Sequence, residues 1–290
     1  MRLAVIAVVH IHKTAGTTLA GVFKRSFGGR HCDVRLTDPR EDHLTPDGLR
    51  ELRRWYPRLE SILGHPVRSY AGLEEVAPGE IRYVTFLRDP IVRTASHYQY
   101  DVQRGGVGLS FDEWLTHDAV RDRQVRILAG PDGSTAEAIR QLDRFAFVGR
   151  ADRFDESLVM MEHFLGMPDV RYASKWVAPT DDIKKRLLAD PEAVAKIAAI
   201  NQKDLEIWDH VVRVIYPAQS TRYGRGLADD AVALEAANAR MTVRRMYAHP
   251  RYAWYVAKWR LGYSPWVNRK RAGSEPPASS LQPPASTGRR

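Results

Sequence analysis

Cysteine is nearly absent from the sequence, with Cys32 as the only one in 290 residues. A lone cysteine cannot form a disulfide within the chain, so nothing in the sequence indicates an oxidising compartment. A zinc site that needs two or more thiolates is excluded for the same reason.

Long hydrophobic runs are also missing. The sequence contains no stretch of about 18 apolar residues, so it predicts no transmembrane segment. The apolar run from Leu3 to Val9 is too short for the hydrophobic part of a signal peptide and continues directly into polar residues. We therefore expect a buried first strand at this position and a cytoplasmic location for the protein.

Acidic residues are fewer than basic ones. The chain has 35 Asp and Glu against 44 Lys and Arg, which gives a formal net charge of +9. Such an excess suits a ligand rich in phosphate or sulfate. Solvated surface charge explains it equally well, because part of the excess lies at the C-terminal end, within residues 269–290.

Alternating apolar segments indicate the fold class. Runs at 3–9, 59–63, 81–87 and 145–148 have the composition of short strands buried in a sheet, and helical patterns lie between them. This alternation predicts an α/β fold with a single doubly wound parallel sheet. The 44% hydrophobic content is ample for one large core.

The last third of the chain is predicted to be helical only. We divide the sequence into a main domain (1–226), a C-terminal helical extension (227–268) and a disordered basic tail (269–290) rich in Pro, Ser and Arg. The extension ends in an aromatic, basic stretch at 254–260. Packing against the core, a lid over a binding site, an oligomer contact and a helix resting on a membrane all remain open for it.

The loop after the first strand has the composition of an anion site. It reads His10-Ile11-His12-Lys13-Thr14-Ala15-Gly16-Thr17-Thr18. A loop between a buried strand and a helix offers backbone N–H groups to a phosphate or sulfate, and here a lysine adds charge while the threonines add hydroxyl donors. A purely structural alternative makes Thr17 the helix cap and leaves Lys13 solvated. The Walker A pattern, which has two glycines and places its lysine after them, is missing, because Lys13 precedes the only glycine of this loop.

This loop resembles the 5′-phosphosulfate-binding loop of sulfotransferases that use PAPS (3′-phosphoadenosine 5′-phosphosulfate). The match is to the heparan sulfate 2-O-sulfotransferase-like branch and its bacterial relatives, whose loop is commonly written H-I-P-K-T-x-G-T-[ST]; His12 replaces the usual Pro. The resemblance implies the P-loop-like sulfotransferase fold, with PAPS as donor and PAP as product. It assigns donor contacts to Lys13, Thr14, Ala15, Gly16, Thr17 and Thr18.

A second motif lies at the end of the predicted strand 81–87. The segment 83–90, followed by Ser96, resembles the family's 3′-phosphate motif, in which Arg88 and Ser96 take the positions of the phosphate ligands. Arginine suits this task because its planar fork gives two charge-assisted hydrogen bonds. Alternatively, Arg88 pairs with a nearby carboxylate while Asp89 caps a helix. The co-occurrence of both motifs at strand ends favours a donor site, and the resemblance covers roughly residues 3–216.

His65 is the candidate general base. It follows the predicted strand 59–63 in a Gly-His pair, which resembles the position of the proposed base in the 2-O-sulfotransferase branch. Its ordinary pKa near neutrality suits the role. A structural histidine with satisfied ring nitrogens is the alternative, and the other candidate bases are His12, Glu41, Asp42 and His43.

The resemblance implies in-line transfer of a sulfonate group to a hydroxylated acceptor that contains carbohydrate. Lys13 is predicted to neutralise the leaving oxygen, so that no metal is required. A nucleotide kinase and a basic nucleic-acid-binding protein are the alternatives, but the latter explains the charge without explaining two anion motifs. We predict no nucleic-acid partner. Neither the acceptor nor the oligomeric state follows from the sequence.

Overall fold

A single five-stranded sheet organises the molecule. The computed structural model describes residues 4–77, 81–173 and 180–273. All strand pairs are parallel, in the order β2-β3-β1-β4-β5. The strands are β1 (Val5–Val9), β2 (His31–Asp33), β3 (Ser61–Gly64), β4 (Ile81–Leu87) and β5 (Phe147–Arg150). Because the chain adds strands first on one side of β1 and then on the other, the predicted doubly wound α/β fold is confirmed.

Helices cover the sheet and form the C-terminal part. The described residues contain α1 (Gly16–Phe27), α2 (Pro46–Trp55), α3 (Pro90–Gly105), α4 (Phe111–Leu115), α5 (Arg123–Ala129), α6 (Thr135–Arg144), α7 (Phe154–Leu165), α8 (Asp182–Ala189), α9 (Pro191–Ile200), α10 (Gln202–His210), α11 (Tyr216–Tyr223), α12 (Leu227–Ala239), α13 (Val243–Tyr247), α14 (Pro250–Lys258) and α15 (Ser264–Ala272). Short π-helical segments join α10 to α11 and α14 to α15.

Both faces of the sheet are buried, which explains the continuous apolar run of the first strand. Val5, Ala7 and Val9 belong to one core cluster with α2, α5 and α6. Ile6 and Val8 point the other way, into a cluster with α1 and α7. A parallel strand with helices on both sides needs apolar residues at every position, as the sequence analysis expected.

The edge strand β2 was not predicted, because its pattern is polar. His31 is fully buried and bonds Ser61 through Nδ1 (2.9 Å) and Asp33 through Nε2 (3.0 Å). The Asp33 carboxylate also pairs with Lys24 (2.5 Å) and accepts from the Tyr255 hydroxyl (2.7 Å). These polar groups, of which His31 and Ser61 are buried, satisfy one another, so the strand needs no apolar alternation. The same network ties α14 to the sheet edge.

The C-terminal helices pack on the main body. α12 lies against α7 and α14 lies against α1, and no strand follows β5 in the part of the chain described. α15 runs to Ala272, so the prediction of a disordered tail from residue 269 is wrong for residues 269–272. Residues 274–290 lie outside the described residues, and the domain boundaries stay predictions. None of the described helices is long and apolar enough to cross a membrane.

Candidate active site

A cavity of about 700 Å³ opens at the carboxyl ends of β1, β3 and β4. Seven of the eight predicted donor-binding residues line it, together with the candidate base His65: Lys13, Ala15, Gly16, Thr17, Thr18, Arg88 and Ser96. A second cavity, of about 500 Å³, lies beside Ile81 at the opposite end of β4 and contains none of these residues. The two sequence motifs therefore meet in one place, as expected for ligands of a doubly wound sheet.

The loop before α1 has an unusual backbone conformation. Lys13 and Ala15 both have positive φ angles (68° and 64°), in the left-handed region that residues with a Cβ avoid. Each such residue costs on the order of 1–3 kcal/mol and is typical of ligand sites. No side chain caps α1, which begins at Gly16, so the alternative with Thr17 as the helix cap is wrong. The first N–H groups of α1 are left for an anion.

The hydroxyl of Thr14 is not available as a donor to an anion, contrary to the prediction. Its side chain is buried, and its hydroxyl donates to the carbonyl oxygen of Ile11 (3.0 Å) instead of pointing into the cavity. Thr14 therefore has only its backbone N–H to offer an anion. Thr17 and Thr18, one turn further along, do line the cavity.

The lack of a side chain at Gly16 leaves space for the ring of His10. A Cβ placed on Gly16 would lie 1.5 Å from His10 Nε2. We expect Gly16→Ala to lower affinity for PAP by about tenfold or more, because an overpacked site costs about 1–3 kcal/mol. Gly21→Ala is the matched control on the same helix, since its Cβ would meet only Met246 Sδ at an ordinary 3.5 Å. Equal PAP affinity of the two variants, measured by calorimetry, would show that the His10 contact does not matter.

Arg88 connects the two motifs. Its Nη1 donates to the carbonyl oxygen of Lys13 (3.2 Å), and the Gln124 amide holds its backbone through bonds of 3.2 and 3.0 Å. The guanidinium thus has a loop carbonyl as its partner and not the carboxylate that the structural alternative requires. The capping part of that alternative is present, because Asp89 accepts from the N–H groups of Ile91 and Val92.

Lys13 and Arg88 make the cavity electropositive. Burial, followed by the charge of Arg88, lowers the pKa of Lys13. Burial also lowers the pKa of Arg88. The Lys13 ammonium lies 4.4 Å from the centre of the Tyr100 ring. An anion between the two cations would relieve both the desolvation and the repulsion, so the charge arrangement favours phosphate or sulfate.

Four histidines stack beside the loop, an arrangement that the sequence analysis missed. The His65 ring lies between His10 (ring centres 4.2 Å apart) and His12 (3.6 Å, 3° between planes), and His97 lies 6.0 Å beyond His12. Desolvation is the main cause that lowers all four pKa values, to about 3 for His10, about 2 for His12 and about 3 for His97. The rings are therefore neutral near pH 7. Histidines at the ends of neighbouring strands β1 and β3 were the available signal.

Hydrogen bonding determines which nitrogen of His65 is basic. Its Nδ1 lies 3.1 Å from the carbonyl oxygen of His10. A carbonyl only accepts, so Nδ1 carries the proton and the lone pair is on Nε2. The geometry and the neutral state together suit a base that acts through Nε2.

The other candidate bases are less well placed. Glu41, Asp42 and His43 are not among the residues that line the cavity, and His43 pairs with Asp42 (2.5 Å). His12 lines the cavity, but its Nδ1 is buried without a hydrogen-bond partner. Within the described residues, no group of three or more His, Cys, Asp or Glu could hold a metal. A reaction without metal stays a prediction.

Comparison with known proteins gives related sequences but no matching family model. The chain is 28% identical to Galactose-3-O-sulfotransferase 3 of Bos taurus over 71% of its own length and 55% of the relative. The proteins of that name from Mus musculus and Homo sapiens are also 28% identical, with 71% of this chain and 54% of each relative covered. The chain thus spans about half the length of the curated relatives it matches.

Among solved structures, a sulfotransferase from Alicyclobacillus acidocaldarius aligns with 72% of this chain and 99% of its own. The TM-score of that alignment is 0.37 and the sequence identity is 19%. The relatives do not single out the heparan sulfate 2-O-sulfotransferase branch. What the matching sequences confirm is the resemblance of this chain to the PAPS-dependent sulfotransferase superfamily.

Proposed function

We propose that this protein is an O-sulfotransferase that transfers a sulfonate group from PAPS to a hydroxyl group of a glycan. The observation that carries the proposal is the convergence of the Lys13 loop and Arg88, from two strand ends, in one cavity beside a neutral His65. The relatives named galactose-3-O-sulfotransferase support a carbohydrate acceptor.

The donor is proposed to bind across the two motifs. Its 5′-phosphosulfate would accept hydrogen bonds from the N–H groups of the loop and the start of α1, where no side chain competes. Its 3′-phosphate would contact Arg88 and Ser96. The hydrogen bond from Arg88 to the Lys13 carbonyl links the two proposed phosphate sites directly.

The reaction is proposed to be an in-line displacement at sulfur. The acceptor oxygen forms a bond to sulfur while the bond from sulfur to the 5′-phosphate oxygen of PAP breaks. His65 Nε2 takes the proton from the acceptor hydroxyl, and Lys13 neutralises the charge that develops on the leaving oxygen. The cavity holds both partners in line, which supplies the remaining contribution.

A transfer assay tests this function. The protein would be incubated with radiolabelled PAPS and a panel of oligosaccharides that end in galactose or glucose, together with galactosides in which single hydroxyls are methylated. We expect label on galactosides, and loss of that label when one particular hydroxyl is blocked. PAP binding without transfer to any member would reject the glycan acceptor alone. Failure to bind either PAPS or PAP would reject the donor assignment.

Arg88→Ala should separate the 3′-phosphate from the rest of the donor. We expect PAP affinity to fall by roughly 1.5–3 kcal/mol, the range for a hydrogen bond to a charged group. Adenosine 5′-phosphosulfate lacks the 3′-phosphate and should lose much less, namely the effect of the missing bond to Lys13. Arg140→Ala, an exposed arginine on α6, is the control and should change neither affinity. Equal losses for both nucleotides would place Arg88 in the fold or at the 5′ end.

The kinase and the nucleic-acid-binding protein remain the alternatives to test. A kinase would prefer ATP, which has no 3′-phosphate for Arg88 and Ser96. A nucleic-acid-binding protein would bind DNA with strong salt dependence and would not distinguish PAP from other nucleotides. The cytoplasmic location and the lack of a nucleic-acid partner stay predictions.

A further inference from the structure

The segment from Arg240 to Gly273 differs in composition from the rest of the chain. It contains nine Lys and Arg, seven aromatic residues and neither Asp nor Glu. Its main element is a continuous helix formed by α14, a π-helical turn at Trp259–Tyr263 and α15. We call this the C-terminal helix (250–272).

The inner face of the C-terminal helix is already occupied by the protein body. Tyr252, Tyr255, Tyr263 and Val267 are each at most 5% exposed. Tyr255 donates to the half-buried carboxylate of Asp33, which anchors this face to strand β2. Packing against the core therefore accounts for one side of the helix and leaves the other side unexplained.

The outer face carries a second apolar stripe. Trp254 is 66% exposed and Leu261 is 84% exposed, and Ala257 lies exposed between them. Spacings of three and four residues place these side chains on one side of the helix. Exposed arginines flank the stripe, with Arg251 before it and Arg260 beside Leu261. A helix with one buried apolar face does not need the second for its own stability.

We propose that the outer face of the C-terminal helix binds the surface of an anionic lipid bilayer. Trp254 and Leu261 would enter the boundary between headgroups and acyl chains, and the arginines would contact lipid phosphates. An aromatic and aliphatic stripe with cations at its edges is the composition of helices that lie in this boundary. Each cation near an anionic leaflet adds to the attraction.

Other partners use only part of this surface. A symmetric contact with a second copy would place an acid-free, basic face against itself, so like charges would meet. A nucleic acid or a sulfated glycan would use the cations and could stack on Trp254, but it offers nothing apolar to Leu261. A bilayer with anionic headgroups complements both the charge and the apolar stripe.

Vesicle sedimentation tests the proposal with the full chain. We expect binding to mixed phosphatidylcholine–phosphatidylglycerol vesicles, little binding to pure phosphatidylcholine, and weakening at high salt. The double change Trp254→Ala with Leu261→Ala should weaken binding at least about tenfold. Arg260→Gln should weaken it about fivefold, the effect of removing one cation near an anionic leaflet.

The matched control is Val232→Ala on α12. Val232 is 65% exposed, like Trp254, but its sequence neighbours include Asp229, Asp230 and Glu235. We expect this variant to bind vesicles as the parent does. The melting temperature, measured on every variant, reports the fold and is expected to be unchanged whether or not the protein binds PAP or transfers sulfonate.

Three results would overturn the proposal. The first is vesicle binding that is absent in the parent, or equally strong without anionic lipid. The second is a parent oligomer that Trp254→Ala dissociates in the absence of vesicles, which would assign the stripe to a second copy. The third is binding to heparin or DNA that matches vesicle binding and does not change in Leu261→Ala.

Discussion

His65→Ala is expected to keep the fold and PAP binding while lowering kcat by about 10²–10⁴, the usual contribution of a positioned base. The reason is geometric, because Nδ1 bonds the His10 carbonyl, which leaves the lone pair on Nε2, and the residue lines the cavity. Steady-state kinetics with saturating PAPS and a working acceptor provide the measurement.

The pH dependence of the parent enzyme supplies a second readout of His65. Desolvation beside the neighbouring rings holds the pKa of His65 below its ordinary 6.5, so the neutral form persists into mildly acidic solution. The value of kcat/KM for PAPS, which reports the free enzyme, should therefore fall on an acid limb that lies below pH 6.5, since only neutral imidazole accepts a proton. His43→Ala, outside the cavity, is the control and should keep the parent kcat. A folded His65→Ala protein with nearly the parent kcat would transfer the role to His12.

Lys13→Ala should reduce kcat by about 10²–10³, the effect of removing one donor to a developing oxyanion. The loss should exceed the loss of PAP affinity, because the leaving oxygen gains its charge only in the transition state. Both lysine and alanine carry a Cβ, so the substitution leaves the positive φ of 68° equally strained. A difference in kcat between the parent and Lys13→Ala therefore reports the ammonium group and not a change in backbone strain.

Lys184→Ala tests whether the position of the Lys13 ammonium matters for kcat, or only the positive charge that it adds to the cavity. Lys184 lines the same cavity but pairs with Asp181 at 2.9 Å. Its removal should cost less in kcat than the removal of Lys13. Equal effects of the two variants, or an unchanged kcat with weaker PAP binding in Lys13→Ala, would mean that Lys13 serves only ground-state binding.

Much of the fold follows from the sequence because the central strands are buried on both faces. Strands β1, β3, β4 and β5 appear as apolar runs, and the helical patterns between them require parallel crossovers. Strand β2 could not be found in this way. Its residues His31 and Asp33 bond side chains that are distant in sequence, among them Ser61 and Tyr255.

Only those parts of the site that lie at strand ends could be predicted from the sequence. The loop at Lys13 and the turn at Arg88 were predictable because strand, turn and helix succeed one another in each. The left-handed conformations of Lys13 and Ala15, and the inward turn of the Thr14 hydroxyl, depend on packing that no local pattern encodes. The histidine stack likewise needs the register of β1 against β3, which sets Val9 beside Gly64.

Calorimetric titration with PAP and with ADP distinguishes a site for a 3′-phosphate from a general nucleotide site. The two nucleotides carry two phosphates each, and only PAP places one of them on the 3′ oxygen. We expect PAP to bind at least about tenfold more tightly than ADP or ATP, because Arg88 and Ser96 are assigned to the 3′-phosphate. ADP or ATP binding as tightly as PAP would contradict a PAPS-dependent sulfotransferase.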